Sequence, residues 1–163
     1  MSLGLPLKHD VSIVRPEVRY MHPLRELFEA GPNTIAQIAA LLAENAVFHS
    51  AVLVRPVEGR EKVAAMFSMS HGVRQGAYIE EHRLDDRTTF LRWKGTIHGH
   101  QFESFEVLTD NEQGLLIERT VAYRPFPAAR ILREEMYADL KDVLGPHYWE
   151  YPAEDRAGAE AES

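Results

Sequence analysis

The chain has 163 residues, a formal net charge of -7 and no cysteine, so one domain with its own core is expected, and disulfides, thiolate metal sites and cysteine nucleophiles are excluded. Hydrophobic residues make up 45% and charged residues 26%, the balance of an ordinary globular protein. Part of the negative charge sits in 151–163, where Glu154, Asp155, Glu160 and Glu162 face one basic residue, Arg156. The body is only mildly acidic and offers no basic stripe for phosphates, so nucleic acid is not expected as a partner. No apolar run approaches the roughly 20 residues that cross a bilayer. The opening MSLGLPLKHDVSIV lacks the charged start and long apolar core of a secretion signal, and a cytoplasmic protein is expected.

Residues 1–15 read as an extended arm, 16–150 as a single domain and 151–163 as an acidic disordered tail. Pro23 to Ala30 predicts a short helix closed by Gly31-Pro32. Asn33 is placed to cap a second helix, along which Ile35, Ile38, Ala39 and Leu42 recur at helical spacing. Ala46 to Ser50 predicts a short strand, and Gly59 precedes a third helix with Val63, Met66, Phe67 and Ser70 on one side.

From Tyr78 the period becomes two. Strands are expected at about Tyr78–Leu84, Thr88–His98, His100–Leu108 and Leu115–Arg124, joined by Asp- and Gly-bearing turns and therefore antiparallel. Pro127 to Leu144 predicts a closing helix with Leu132, Met136, Leu140 and Val143 as its stripe and Gly145-Pro146 as its stop. Helices first and hairpins after make an α+β protein.

Two segments, AENAVFHSAVLVRPVEGREKVAAMF from Ala43 and GLLIERTVAYRP from Gly114, together resemble the nuclear transport factor 2-like superfamily, which includes SnoaL-like polyketide cyclases, ketosteroid isomerases and dehydratases with a cystatin-like fold. The resemblance covers roughly residues 33–144. It implies a strongly curved antiparallel sheet, with the N-terminal helices on its concave face forming a cone-shaped pocket, plus a C-terminal helix. It further implies a homodimer through the sheet and a small apolar or aromatic ligand, with no cofactor and no metal.

In ketosteroid-isomerase-like members the first strand ends in a proton-moving aspartate; Ser50 stands at that position here, a departure from that chemistry. A second acid lies eight residues before a turn glycine, which makes Glu106, counted from Gly114, the expected functional acid. In an apolar hollow its carboxyl is expected to hold its proton more tightly than usual. The other readings of Glu106 are an outward surface residue or a buried ion pair with Arg92 or Arg119. His71, near the end of the third helix, is the candidate acid-base partner; His49 and His82 are weaker ones. Phe48, Ser50, Met66, Phe67 and Trp93 are the candidate ligand wall.

The pair His98-Gly99-His100 matches half of a cupin metal motif, but the second half is missing and Gly99 suggests a turn, so solvated hairpin histidines are expected. There is no G-x-S-x-G elbow, Walker loop or G-x-G-x-x-G. The readings carried forward are a cofactor-independent isomerase, cyclase or dehydratase, and alternatively a non-enzymatic ligand carrier or homodimerisation module.

Overall fold

The computed structural model describes residues 20–153, so the expected arm and most of the expected tail fall outside the described residues. In chain order the elements are α1 (Pro23–Glu29), α2 (Ile35–Ala39), β1 (Leu42–His49), β2 (Val57–Glu58), α3 (Arg60–Gly72), β3 (Gln75–Arg83), β4 (Thr88–Ile97), β5 (His100–Asp110), β6 (Leu116–Arg124) and α4 (Phe126–Leu140), followed by a 3-10 turn at Pro146–Tyr148. They form an α+β fold around one six-stranded sheet of order β2-β1-β6-β5-β4-β3.

The sheet is curved and not closed. β3 to β6 pair antiparallel, as their short turns require. The sheet as a whole is mixed, because β1 returns beside β6 in parallel. Register shifts interrupt β1 between Leu42 and Val47, β3 between Tyr78 and Glu80, and the β5–β6 ladder at Thr109 and Asp110; such irregularities bend strands and sharpen twist. The β4–β5 turn is two residues, His98 and Gly99, with φ of 46° and 77°. That left-handed pair is the geometry whose twist matches a hairpin.

One face of the sheet is dry. Leu91, Trp93, Ile97, Phe102, Leu108 and Val121 point inward and meet Phe48, Val63, Met66 and Phe67 in a single core. α3 packs on α2, β1 and α4, while α4 also lies along β4 to β6 and α1 lies on β3. The predicted side of α3 is the buried side: Val63, Met66, Phe67 and Ser70 are all enclosed.

Three boundaries differ from expectation. The cap of α2 is Thr34, not Asn33: its hydroxyl accepts the Gln37 N–H while the Gln37 side chain accepts the Thr34 N–H, a reciprocal box that Asn33 cannot form one residue earlier. Leu42 belongs to β1 rather than to the α2 stripe, since Leu41 and Leu42 are already captured by pairing with Leu116. Val143 is half-exposed, because α4 ends at Leu140 and the chain then turns.

Two facing glycines shape the interior. Gly76 and Gly95 pair across β3 and β4, and the indole of Trp93 lies over them. A Cβ on Gly95 would fall 2.5 Å from Cη2 of Trp93, and one on Gly76 2.7 Å from its Cζ2. The absence of side chains there lets the ring lie flat toward the core.

Candidate functional site

Glu106 is inward, wholly buried, and ion-paired. On β5 the alternation puts Phe102, Ser104, Glu106 and Leu108 on the core face and Glu103, Phe105 and Val107 on the other. One carboxylate oxygen, Oε2, accepts from Nη2 of Arg119 at 2.7 Å and from its Nε at 3.2 Å. The other, Oε1, accepts from Oγ of Ser104 at 2.7 Å. The hydroxyl of Tyr78 stands 3.5 Å from Oε2, and Nη1 of Arg74 stands 3.9 Å from Oε1.

Each guanidinium rests on an aromatic face. Arg119 lies 4.4 Å from the Phe67 centroid and 5.5 Å from that of Phe48, and the two rings meet edge to face. Arg74 lies 4.7 Å from the Trp93 ring, the ring seated on the paired glycines. Its Nε donates to the carbonyl of Ser70, which ties it to the last turn of α3. Stacking of this kind fixes the plane of a guanidinium while leaving its edges free to donate. Nη1 of Arg119 and Nη2 of Arg74 are buried and have no hydrogen-bond partner among the described residues.

The electrostatics reverse one expectation. Burial pushes the Glu106 carboxyl toward its neutral form, but Arg119 and Arg74, together with the hydrogen bonds from Ser104 and Arg119, hold its pKa below the ordinary value. The tighter proton binding expected of an isolated carboxyl does not arise, because two cations offset the lost hydration. The Tyr78 phenol is pushed well above its usual range, first by burial and then by the neighbouring Glu106 charge. It therefore stays protonated at neutral pH.

His71 is half-buried and stacks on Phe28, centroids 4.4 Å apart. Burial lowers its pKa, and the charges of Arg74 and Arg119 lower it further against a smaller pull from Glu106, so the ring is neutral at pH 7. Among the described residues His71 makes no hydrogen bond to Glu106; the link between them is electrostatic. Phe48, Met66, Phe67 and Trp93 are all core residues around the cluster. Ser50 is not brought to it: its hydroxyl accepts the Val52 N–H at 3.3 Å and helps turn the chain after β1. His49 and His82 are exposed and stand 3.9 Å from Glu118 and Glu80, away from Glu106. His98 and His100 are exposed in the hairpin, with His98 bonded to Glu135 at 3.0 Å. A surface hollow of about 500 Å³ lies between α2 and α3, beside Ile35, Ala39 and Arg60, and contains none of the candidates.

The residues missed from sequence as members of the site are Arg74, Ser104 and Tyr78. Ser104 carried a usable signal, since it shares the inward parity of β5; Tyr78 did not, because the register shift between Tyr78 and Glu80 breaks the alternation of β3. Arg74 carried none, because it follows the helix end at Gly72 and Val73, where no periodicity applies.

The mixed curved sheet, with α3 across its inner face and a charged group at its centre, can be set beside known structures. An uncharacterised protein with a cystatin-like fold from Silicibacter pomeroyi DSS-3 superposes with a TM-score of 0.67 at 24% identity, covering 74% of this chain and 86% of that one. A steroid delta-isomerase from Pseudomonas aeruginosa superposes at 0.65 with 21% identity, covering 72% and 86%. An NTF2-like protein of unknown function from Cytophaga hutchinsonii ATCC 33406 gives 0.51 at 17% identity, covering 64% and 89%. The chain has the nuclear transport factor 2-like fold. No protein-family model and no curated protein matches the sequence. At these identities the likeness establishes the nuclear transport factor 2-like architecture, and chemistry has to be argued from the residues inside it.

Proposed function

We propose that the chain is a small-molecule-binding domain of the SnoaL-like, nuclear transport factor 2-like kind, acting on an apolar or aromatic ligand as a cofactor-independent isomerase, cyclase or dehydratase. The buried Glu106–Arg119 pair carries this reading. Taking two charges out of water is expensive, and well-packed apolar residues in place of such a pair are often neutral or more stabilising by about 1–4 kcal/mol. Stability is thus a weak reason for the pair, and a role toward a ligand is a better one.

The protonation states divide the work. Glu106, ionised, accepts a proton from the ligand. Tyr78, protonated, donates a hydrogen bond to a ligand oxygen that gains charge. His71, neutral and half-buried, is the partner through which a proton leaves. The likeness in fold to a steroid delta-isomerase supports this class of reaction. A ligand carrier or homodimerisation module is the second reading. It is favoured by the engagement of both Glu106 oxygens, which lowers basicity.

Native mass spectrometry of freshly purified protein separates these from a purely architectural role: a co-purified small molecule is expected. Glu106→Gln, screened against isomerase and dehydratase substrates, is expected to lower kcat at least a hundredfold. Unchanged turnover in that variant removes the proton-transfer role and leaves the carrier.

We also propose a homodimer through the outer face of β3 to β6. There Glu103 is clamped between Arg92 and Arg124, Arg92 also holds Glu80 at 2.8 Å, and Val107 and the half-buried Phe90 and Phe105 are open to a partner. The charges neutralise one another, so a second copy could cover them at reduced cost. Val107→Arg is expected to shift the native mass from dimer to monomer. A wild-type protein that is monomeric at tens of micromolar sinks the proposal.

A further inference from the structure

We propose that the ligand of this interior is a small apolar monocarboxylate, its carboxylate bound by the free edges of Arg74 and Arg119. The inference rests on the small-molecule reading above and specifies the chemical class. Three observations converge on it. The first is charge. The buried cluster holds two guanidiniums and one carboxylate, with Tyr78 protonated and His71 neutral, and so carries one uncompensated positive charge out of water. A monoanion brings the sum to zero. An amine would add a second unbalanced cation.

The second is hydrogen bonding. Glu106 takes the Nε and Nη2 edge of Arg119 and lies against Nη1 of Arg74, which leaves Nη1 of Arg119 and Nη2 of Arg74 as buried donors with no partner among the described residues. Leaving such donors unpaired costs more than pairing them gains. Both guanidiniums already meet the oxygens of one carboxylate, and a second carboxylate would offer an acceptor oxygen to each remaining N–H group. A primary amide would present its own N–H group to one of these donors and be rejected.

The third is surroundings. Phe48 and Phe67 under one guanidinium and Trp93 under the other fix both planes and make the immediate surroundings of the two cations aromatic and apolar. Arg74 follows the end of α3, next to half-buried His71, and its side chain is as enclosed as that of Arg119.

The test is calorimetric titration of the whole protein at neutral pH with benzoate, phenylacetate and hexanoate, each against its neutral amide, and with benzylamine. Carboxylates are expected to bind at least tenfold more tightly than the matching amides, and Arg74→Gln is expected to remove that preference. Arg74→Gln keeps the Glu106–Arg119 pair, so it is expected to fold; its circular dichroism spectrum checks this. Amides or benzylamine binding as tightly as the acids overturns the carboxylate assignment and leaves the small-molecule reading standing, as does a preference that survives Arg74→Gln. A protein that takes up no acid, amide or amine loses both.

Discussion

Arg119→Met destabilises the protein by about 3–5 kcal/mol, the usual loss when one partner of a buried ion pair is removed and the other is left charged. Methionine fills much of the volume between Phe48 and Phe67, so the loss reports the stranded Glu106 and not a void. The second substitution tests this. Adding Glu106→Leu removes the stranded charge, and the double variant recovers most of the loss, short of wild type only because Arg74 then lacks its own counter-charge. Urea unfolding of the three proteins measures both steps.

The pH dependence separates electrostatics from packing. In the wild type the Glu106 pKa is depressed in the folded state, so the pair contributes fully above the ordinary carboxyl value near 4.5 and is lost as pH falls through the lower folded value. In Arg119→Met burial dominates and the folded pKa rises, so protonation now favours the folded form. The gap between variant and wild type therefore narrows from neutral pH toward pH 4. A gap independent of pH over that range means that Arg119 contributes only its packing, and the ionic account of the site fails.

How much of this was legible in the sequence depends on the range of the interaction. Glu106 was placed as an inward acid by the resemblance, counted back from Gly114; periodicity alone left an outward position open, since a one-residue slip reverses every side chain of β5. The turn at Asn111–Gly114 sets Leu108 against Arg119, but reading that pairing requires the shift at Thr109 and Asp110, which composition does not announce. Arg119 was consequently visible as one of two arginines that could meet Glu106, not as the partner. Arg92, the other, is on the outer face with Glu103. α2 was misread at both ends for different reasons. At its start Asn33 and Thr34 are both good caps and the local Thr34–Gln37 box decides; at its end Leu42 fits a helical stripe as well as a strand, and the long-range bond from Leu116 N–H to the Leu41 carbonyl decides.

The proton affinity of Glu106 shows a second kind of limit. Burial alone predicts a rise, and burial was the part that the resemblance implied. The fall comes first from Arg119 and then from Arg74, which is thirty-two positions away in sequence and held at the site by the Ser70 carbonyl and the Trp93 ring. Trp93 can take that position because Gly76 and Gly95 face each other beneath it. A polar site assembled through paired glycines, an aromatic ring and a helix end leaves no contiguous motif. Here periodicity reached the α+β class, the resemblance supplied the architecture, and neither reached the charged centre.

Phe67→Ala decides what kind of interior this is. Phe67 is wholly buried on α3, meets Phe48 edge to face at 5.0 Å and supports Arg119 from below. In a packed core its truncation costs about 3–5 kcal/mol, part from lost transfer energy and part from the void. The wall of an open hollow behaves differently: water or ligand already lies on one side, and truncation costs a fraction of that. We expect the larger value in the free protein, because Phe67 packs against Phe48 and Arg119 together. We also expect Phe67→Leu to regain most of the stability while failing to restore the π face under Arg119. The carboxylate preference is then weaker in Phe67→Leu than in wild type although its melting temperature is close. If Phe67→Ala costs less than about 1 kcal/mol, the aromatic floor does not bear the packing assigned to it and the cone is open around Glu106 before any ligand arrives.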